Sequence, residues 1–256
     1  MRQDRGTLVV AFDHPLVLGP IPGTLDPAGQ IQRFVTGEAD AILLNLGAFR
    51  HFASVVLKGG PPGLIARLDW TTAFADSAKT QPNGFQSCLV AHPEDALQAG
   101  ADAVITFLVI GSGDAEFERK EIERVGSVAR ECERLGVPLI VESLARGAQI
   151  SNPRAPEWLK LHTRIAAELG ADVIKTENAE NPEVLRSVVS ACPVPILVLG
   201  GSRTGSDEDI LNTVRGIVHA SAAGVFFGRN IFQSENMSEL LQRVRSVLAS
   251  RERTQG

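Results

Sequence analysis

Three segments of this chain follow one local grammar: Glu38-Ala39-Asp40-Ala41-Ile42, Gly100-Ala101-Asp102-Ala103-Val104 and Gly170-Ala171-Asp172-Val173-Ile174. Each closes a stretch of helical periodicity and opens an apolar run. A glycine such as Gly100 or Gly170 suits the left-handed residue that stops a helix and turns the chain back. The short apolar run that follows reads as a buried strand. The repeat therefore marks a helix-to-strand seam used several times over. A second grammar, Gly136-Val137-Pro138-Leu139-Ile140-Val141 and Pro193-Val194-Pro195-Ile196-Leu197-Val198, puts proline at the first residue of a strand, where a missing N–H is tolerated.

Eight principal strands are expected, over 7–13, 41–45, 64–69, 103–108, 139–142, 172–176, 196–199 and 224–228, with a short extra strand at 88–90. The segments between them have helical period. Met237, Leu240, Leu241, Val244, Val247 and Leu248 line one helical face, and Ile122, Val125, Ala129 and Cys132 form a similar stripe beside charged residues. Stretches 59–63 and 76–84 read as loops, and no linker divides the chain. Eight strands alternating with helices over 256 residues predict a (β/α)8 barrel, one domain spanning 1–256. A doubly wound open sheet is the alternative, but no GxGxxG follows the first strand to support it.

Hydrophobic residues make up 44% of the chain, enough for a large core. A net charge of −5 with no basic stripe argues against a nucleic-acid surface. No apolar run approaches the roughly 20 residues of a membrane span, and the N-terminus carries no signal-peptide pattern. Cys88, Cys132 and Cys192 are widely spaced, read as small core residues, and point to a reducing cytoplasm. His51, His92, His162 and His219 share no metal-ligand spacing, so no metal is expected.

Against this background Lys175 stands out. It interrupts the strand Ala171-Asp172-Val173-Ile174-Lys175-Thr176, whereas Lys58, Lys79, Lys120 and Lys160 lie in helical or loop contexts. An ammonium in a strand interior must be paired or neutralised. Desolvation favours the neutral amine, the form that attacks carbonyls to give Schiff bases. A structural lysine, salt-bridged inside a barrel, is the plainer reading.

Other polar residues gather at the C-terminal ends of the expected strands: Asp13-His14, Asn45, Asp69-Trp70, Thr106, Glu142-Ser143, Gly200-Gly201-Ser202 and Gly228-Arg229. In a barrel those ends share one face, the face that carries the active site. Asp13 and Glu142 are candidate acid/base groups for the proton transfers of Schiff-base chemistry, or charge partners of Lys175. His14 is read as positioning a substrate hydroxyl, or as an ordinary loop histidine. Gly200, Gly201, Ser202, Gly228 and Arg229 follow the seventh and eighth strands, where barrels commonly bind phosphate. Glycine lets backbone N–H groups approach the anion, a following helix N-terminus adds positive potential, and Arg229 adds a planar fork.

The chain resembles the DhnA-type class I aldolases, which include archaeal-type fructose-1,6-bisphosphate aldolase, an aldolase-like synthase and a thiolase-like enzyme acting on phospho-autoinducer-2. The resemblance lies in Phe12-Asp13-His14 with Gly19-Pro20, in Gly100-Ala101-Asp102-Ala103-Val104, and in Ile110-Gly111-Ser112. It continues through 168–176, Cys192-Pro193-Val194-Pro195, Gly200-Gly201-Ser202, Ala222-Ala223-Gly224-Val225 and Gly228-Arg229-Asn230-Ile231-Phe232. It implies that Lys175 is the Schiff-base lysine on the sixth strand and Asp13 an acid/base. Arg229 and the two glycine loops then hold the phosphate of a small-molecule substrate, Arg146 lies near that substrate, no cofactor is needed, and the protein forms a ring-shaped homo-oligomer, a pentamer or decamer. One position departs. Many members carry a proton-donating tyrosine two residues before that arginine, where this chain has Leu144, and it contains no tyrosine anywhere. The expected activity is carbon–carbon bond cleavage or formation on a phosphorylated ketose. Lysine-dependent acyl transfer on a phosphorylated dione, and a non-catalytic barrel that binds phosphometabolites, are the rivals.

Overall fold

The apolar runs assemble into one closed parallel sheet. The computed structural model describes residues 5–56, 62–74, 84–203 and 205–250. The first half runs β1 (Thr7–Ala11), α1 (Pro15–Leu18), α2 (Pro27–Thr36), β2 (Ala41–Asn45), α3 (Leu46–Val56), β3 (Gly63–Arg67), β4 (Asp69–Thr71), β5 (Ser87–Leu89) and α4 (Pro93–Gln98). Then come β6 (Ala103–Ile110), α5 (Ala115–Leu135), β7 (Leu139–Ala145), α6 (Pro156–Glu168), β8 (Val173–Thr176) and α7 (Pro182–Ala191). The last elements are β9 (Ile196–Leu199), α8 (Asp207–His219), β10 (Gly224–Phe227), α9 (Arg229–Phe232) and α10 (Met237–Ala249). Strands β1, β2, β3, β6, β7, β8, β9 and β10 follow one another around the barrel, and β10 closes on β1. This is the expected (β/α)8 barrel.

Several expected strands differ in their bounds: β1 stops at Ala11 rather than Asp13, and β6 continues to Ile110 rather than stopping at Leu108. The run 64–69 breaks: β3 ends at Arg67, and Asp69 opens β4, which pairs antiparallel with β5 in a hairpin outside the barrel. The extra strand expected at 88–90 is thus real, shifted by one residue. β7 runs to Ala145 rather than stopping at Glu142, because β6 matches it residue for residue from Val104↔Leu139 to Ile110↔Ala145. Of the expected loops, 59–61 and 76–83 lie outside the described residues.

The two grammars have distinct jobs at the N-terminal end of the barrel. Each repeat aspartate reaches back to the start of the preceding strand. Asp40 accepts from Leu8 N at 2.8 Å, Asp102 from Leu64 N at 2.8 Å, and Asp172 from Leu139 N at 2.7 Å. In return the aspartate N–H groups donate to the carbonyls of Leu8, Leu64 and Leu139. These clasps join β1 to β2, β3 to β6 and β7 to β8. The prolines serve two of the alternate seams: Val104 N donates to Pro138 O and Ile174 N to Pro195 O, bonds that need only the carbonyl a proline retains. Gly100 and Gly170 take φ of 94° and 102°, the left-handed geometry that the repeat requires.

Strand alternation divides the apolar residues into two cores. Val9, Ala11, Leu43, Ile65, Ile105, Ile140, Val173, Leu197 and Phe226 fill the barrel interior. Their neighbours, such as Leu8, Val10, Leu44, Val104 and Ile174, face the helices and pack with Leu159, Val188, Val214 and Leu241. The α10 stripe is buried at Met237, Leu240, Leu241, Val244 and Leu248. Cys132 joins this outer core, but Cys88 is exposed and Cys192 half-buried, so only one of the three is a core residue.

Candidate active site

The same alternation decides which side chains enter the barrel. On β8, Val173 belongs to the interior cluster, so Lys175 also points inward while Ile174 faces the helices. On β7, Ile140 points inward and Glu142 follows it. Glu142 and Lys175 are register partners, and Lys175 Nζ lies 2.9 Å from Glu142 Oε2. The ammonium also stands 4.5 Å over the Phe226 ring. The lysine is 5% exposed and the glutamate 4%.

A second buried cation completes the cluster. Arg67, the last residue of β3, is 2% exposed. Its Nε and one terminal nitrogen donate to Asp13 Oδ2 at 3.0 and 2.8 Å, and that same nitrogen makes a short contact to Glu142 Oε2. The other terminal nitrogen lies 3.5 Å from Asp69 Oδ1, and the guanidinium stacks 3.7 Å from the Phe107 ring centre. Burial alone would push the Asp13 carboxyl up. Arg67, with Lys175 and His14 behind it, outweighs burial and holds Asp13 well below the usual carboxylate range. Burial likewise works against the charge on Arg67, but Asp13, Glu142 and Asp69 more than offset it.

Asp13, Glu142 and Lys175 line a cavity of about 300 Å³. All ten residues singled out from the sequence line it: Asp13, His14, Glu142, Arg146, Lys175, Gly200, Gly201, Ser202, Gly228 and Arg229. The two glycine loops are stitched together, because Asn230 Nδ2 donates to Gly200 O and Arg203 donates to Asn230 O. Among the described residues Arg229 takes part in no ion pair, and its Nε is buried without a partner. The α8 N-terminus is a poorer anion donor than expected. Ser206 and Asp209 close its capping box, and Asp207, Glu208 and Asp209 crowd its first turn. On the other side of Lys175, Arg146 makes a two-pronged pair with Glu177 at 2.9 and 3.0 Å and lies over Phe74. His14 packs edge-on to Phe232 and against Gly228. Burial pushes the His14 imidazolium down against the pull of Asp13.

Some polar residues at the strand ends do not reach the cavity. Ser143 turns outward and shares a hydrogen bond with buried His162 at 2.9 Å. Asp69 and Thr106 are bonded to each other and to Arg124, which in turn pairs with Glu121 on α5. A buried chain of charge thus runs from Lys175 through Glu142, Arg67, Asp69 and Arg124 to Glu121. Arg67 was the residue missing from the sequence reading. It breaks the apolar strand Leu64-Ile65-Ala66-Arg67-Leu68 as Lys175 breaks its own, and that signal was available. Leu144 is fully buried and does not line the cavity. Among the described residues no cluster of three His, Cys, Asp or Glu side chains is arranged to hold a metal ion.

The chain is similar to known aldolases over nearly its whole length. The chain is 33% identical over 249 residues to an uncharacterised aldolase of Saccharolobus solfataricus, covering 96% of this chain and 90% of that one. It is 30% identical over 242 residues to 2-amino-4,5-dihydroxy-6-oxo-7-(phosphonooxy)heptanoate synthase of Streptomyces griseus, covering 94% and 84%. Among solved structures, an archaeal fructose-1,6-bisphosphate aldolase with its catalytic lysine covalently bound to the carbinolamine intermediate superposes with a TM-score of 0.86. The identity there is 27%, covering 97% of this chain and 96% of that one. The profile of DeoC/LacD family aldolases matches residues 7–234. With a lysine buried inside the barrel, a sequence match running nearly end to end and the resemblance to class I aldolases borne out, this chain belongs to the DeoC/LacD family of aldolases.

Proposed function

We propose that this enzyme is a Schiff-base aldolase that makes or breaks a carbon–carbon bond in a phosphorylated ketose-like substrate. One observation carries the reading: Lys175 Nζ lies 2.9 Å from Glu142 in the same cavity as the glycine loops and Arg229. The phosphate-ketone element is supported by the relatives, whose names place an oxo group beside a phosphorylated carbon in one case and describe fructose 1,6-bisphosphate in the other.

The chemistry follows from these groups. The Lys175 amine, its proton passed to Glu142, adds to the ketone carbon, and the carbinolamine hydroxyl takes that proton back from Glu142 as it leaves as water, giving an iminium beside a restored carboxylate. The nitrogen is again positive, so its pairing with Glu142 is retained. A cavity carboxylate, Glu142 or Asp13, then takes the proton of the hydroxyl beyond the bond to be broken. That bond's electrons move into the iminium, leaving an enamine and releasing an aldehyde. Protonation of the enamine carbon and addition of water free the ketone and restore the amine. The phosphate, bound by the loops and Arg229, fixes the carbonyl against Lys175, and that remote binding energy serves the reacting centre.

Borohydride reduction in the presence of dihydroxyacetone phosphate or fructose 1,6-bisphosphate, followed by peptide mass spectrometry, tests the reading. A substrate-sized adduct on Lys175 is expected. It should vanish in Lys175→Ala and in Lys175→Arg, whose guanidinium stays protonated and forms no imine. Full turnover by Lys175→Ala would sink the mechanism. The buried Leu144 favours one alternative, lysine-dependent acyl transfer from a phosphorylated dione. That reaction would yield product only with an acyl acceptor such as coenzyme A.

A further inference from the structure

Three carboxylates line the cavity; Glu177 is taken up by Arg146, which leaves Asp13 and Glu142 to serve Lys175, and the chain has no phenol. Carboxylates brought together in a buried site repel and drive one another toward protonation. Here the Arg67 guanidinium bridges the two. Arg67 does not line the cavity but stands behind the carboxylates that do. It enters from β3, which stands two strands from β1 on one side and two from β7 on the other. From that midpoint its planar fork reaches Asp13, which follows β1, and Glu142 on β7. A third contact to Asp69 and the Phe107 ring fix its plane. Lysine has neither the planar spread nor the separate donors to do this. The outer tether, Asp69 to Arg124 to Glu121, anchors the guanidinium to α5.

We propose that Arg67 is the positioning residue of the active site, a clamp that holds the Asp13 and Glu142 carboxylates in place beside Lys175 so that carboxylates carry the proton transfers in a site without tyrosine. The inference rests on the aldolase reading and deepens it. Asp13, Glu142, Arg67 and Lys175 form a set with two positive and two negative charges. Imine formation preserves that balance, since the iminium replaces the ammonium. The clamp therefore need not move during turnover, and each carboxylate has one oxygen committed to Arg67 and a second outside the clamp.

The test combines borohydride trapping with pH–rate profiles of Arg67→Met, Arg67→Gln and Arg67→Lys. For Arg67→Met the expected result is a kcat about 100-fold lower with KM nearly unchanged, because general acid–base function is lost while substrate contacts remain. The acid limb of kcat should move up by about one pH unit or more, since Asp13 loses its nearest counter-charge and keeps its burial. Arg67→Lys should leave the acid limb closer to that of the wild type and recover part of kcat. Arg67→Gln keeps hydrogen-bond donors without charge and should repeat the Met result; it serves where Arg67→Met does not fold. A residue that merely stabilised the fold would lower the active fraction and leave the acid limb in place. An unmoved limb, or a kcat within threefold of wild type, in a folded Met or Gln variant overturns the clamp while a wild-type adduct on Lys175 keeps the aldolase reading. Absence of that adduct from wild type with every phosphorylated ketone overturns both.

Discussion

Gly228 sits where the β10 loop meets His14, and Gly228→Ala is a steric wedge of known size. A Cβ built on Gly228 would lie 2.3 Å from His14 Cε1, 2.8 Å from its Nε2 and 2.9 Å from Ala11 O. Restoring an ordinary 3.4 Å contact means moving the imidazole by about 1.1 Å. The Ala11 carbonyl belongs to a barrel strand and cannot rotate away, and Phe232 stands edge-on to the ring with centroids 5.2 Å apart. The strain must therefore pass to His14 and the Gly228-Arg229 turn, both on the cavity wall. A misplacement of about 1 Å costs on the order of 100-fold in rate where reacting groups are aligned. Overpacking adds about 1–3 kcal/mol of destabilisation, a fall of several degrees in Tm. Steady-state kinetics with a phosphorylated ketose, alongside thermal unfolding, should give a kcat/KM about 100-fold lower for Gly228→Ala. Gly100→Ala is the control, since its φ of 94° imposes backbone strain at the opposite end of the barrel with nothing within 4 Å of the new methyl. It should lower Tm and leave kcat/KM unchanged. A Gly228→Ala enzyme within threefold of wild type would refute the argument that this contact sets the cavity wall.

The aspartate clasps predict stability effects without catalytic ones: Asp102→Ala and Asp172→Ala should each lose about 1 kcal/mol or more, a drop of about 2–4 °C in Tm, with unchanged KM. Unfolding scans and kinetics on the same samples check this, and a changed KM would tie the clasp face to the site after all. His162 is buried, and burial with nearby Arg146 pushes its imidazolium down to about 3. The unfolded chain, titrating near 6.5, then takes up the proton first. This contribution to stability is whole above about pH 6.5 and is lost as pH falls toward 3, amounting to a few kcal/mol. Urea unfolding at pH 7, 5 and 4 should show a shallower decline for His162→Leu than for wild type; equal slopes would assign the acid sensitivity elsewhere.

Barrel topology was legible because the Asp and Pro grammars mark seams that backbone hydrogen bonding enforces. Lys175 was legible because a charge in a strand interior has few places to go. Arg67 carries the same signal, yet it stands next to Leu68-Asp69, and a run of six residues ending in an acid reads as one strand with a polar tip. Only the turn into β4 separates Arg67 from Asp69 and aims them at each other. β7 was read short because Glu142-Ser143 resembles a strand exit. Its pairing with the long β6 keeps it extended, and alternation then sends Glu142 inward and Ser143 out to His162. That split depends on register, which neighbouring strands decide. Arg146 was marked only by family likeness, since its partner Glu177 comes from the next strand's loop.

Arg67 meets Asp13, 54 positions earlier, and Glu142, 75 positions later. A chain that has made only its first three barrel strands can supply the first partner but not the second, and arginine cannot shed its charge to wait. A half-built barrel therefore holds Arg67 with Asp13 and Asp69 but without Glu142, the carboxylate it shares with Lys175. The buried cluster is thus complete only when β7 has joined the sheet, which ties the charge balance around Lys175 to the pairing of distant strands.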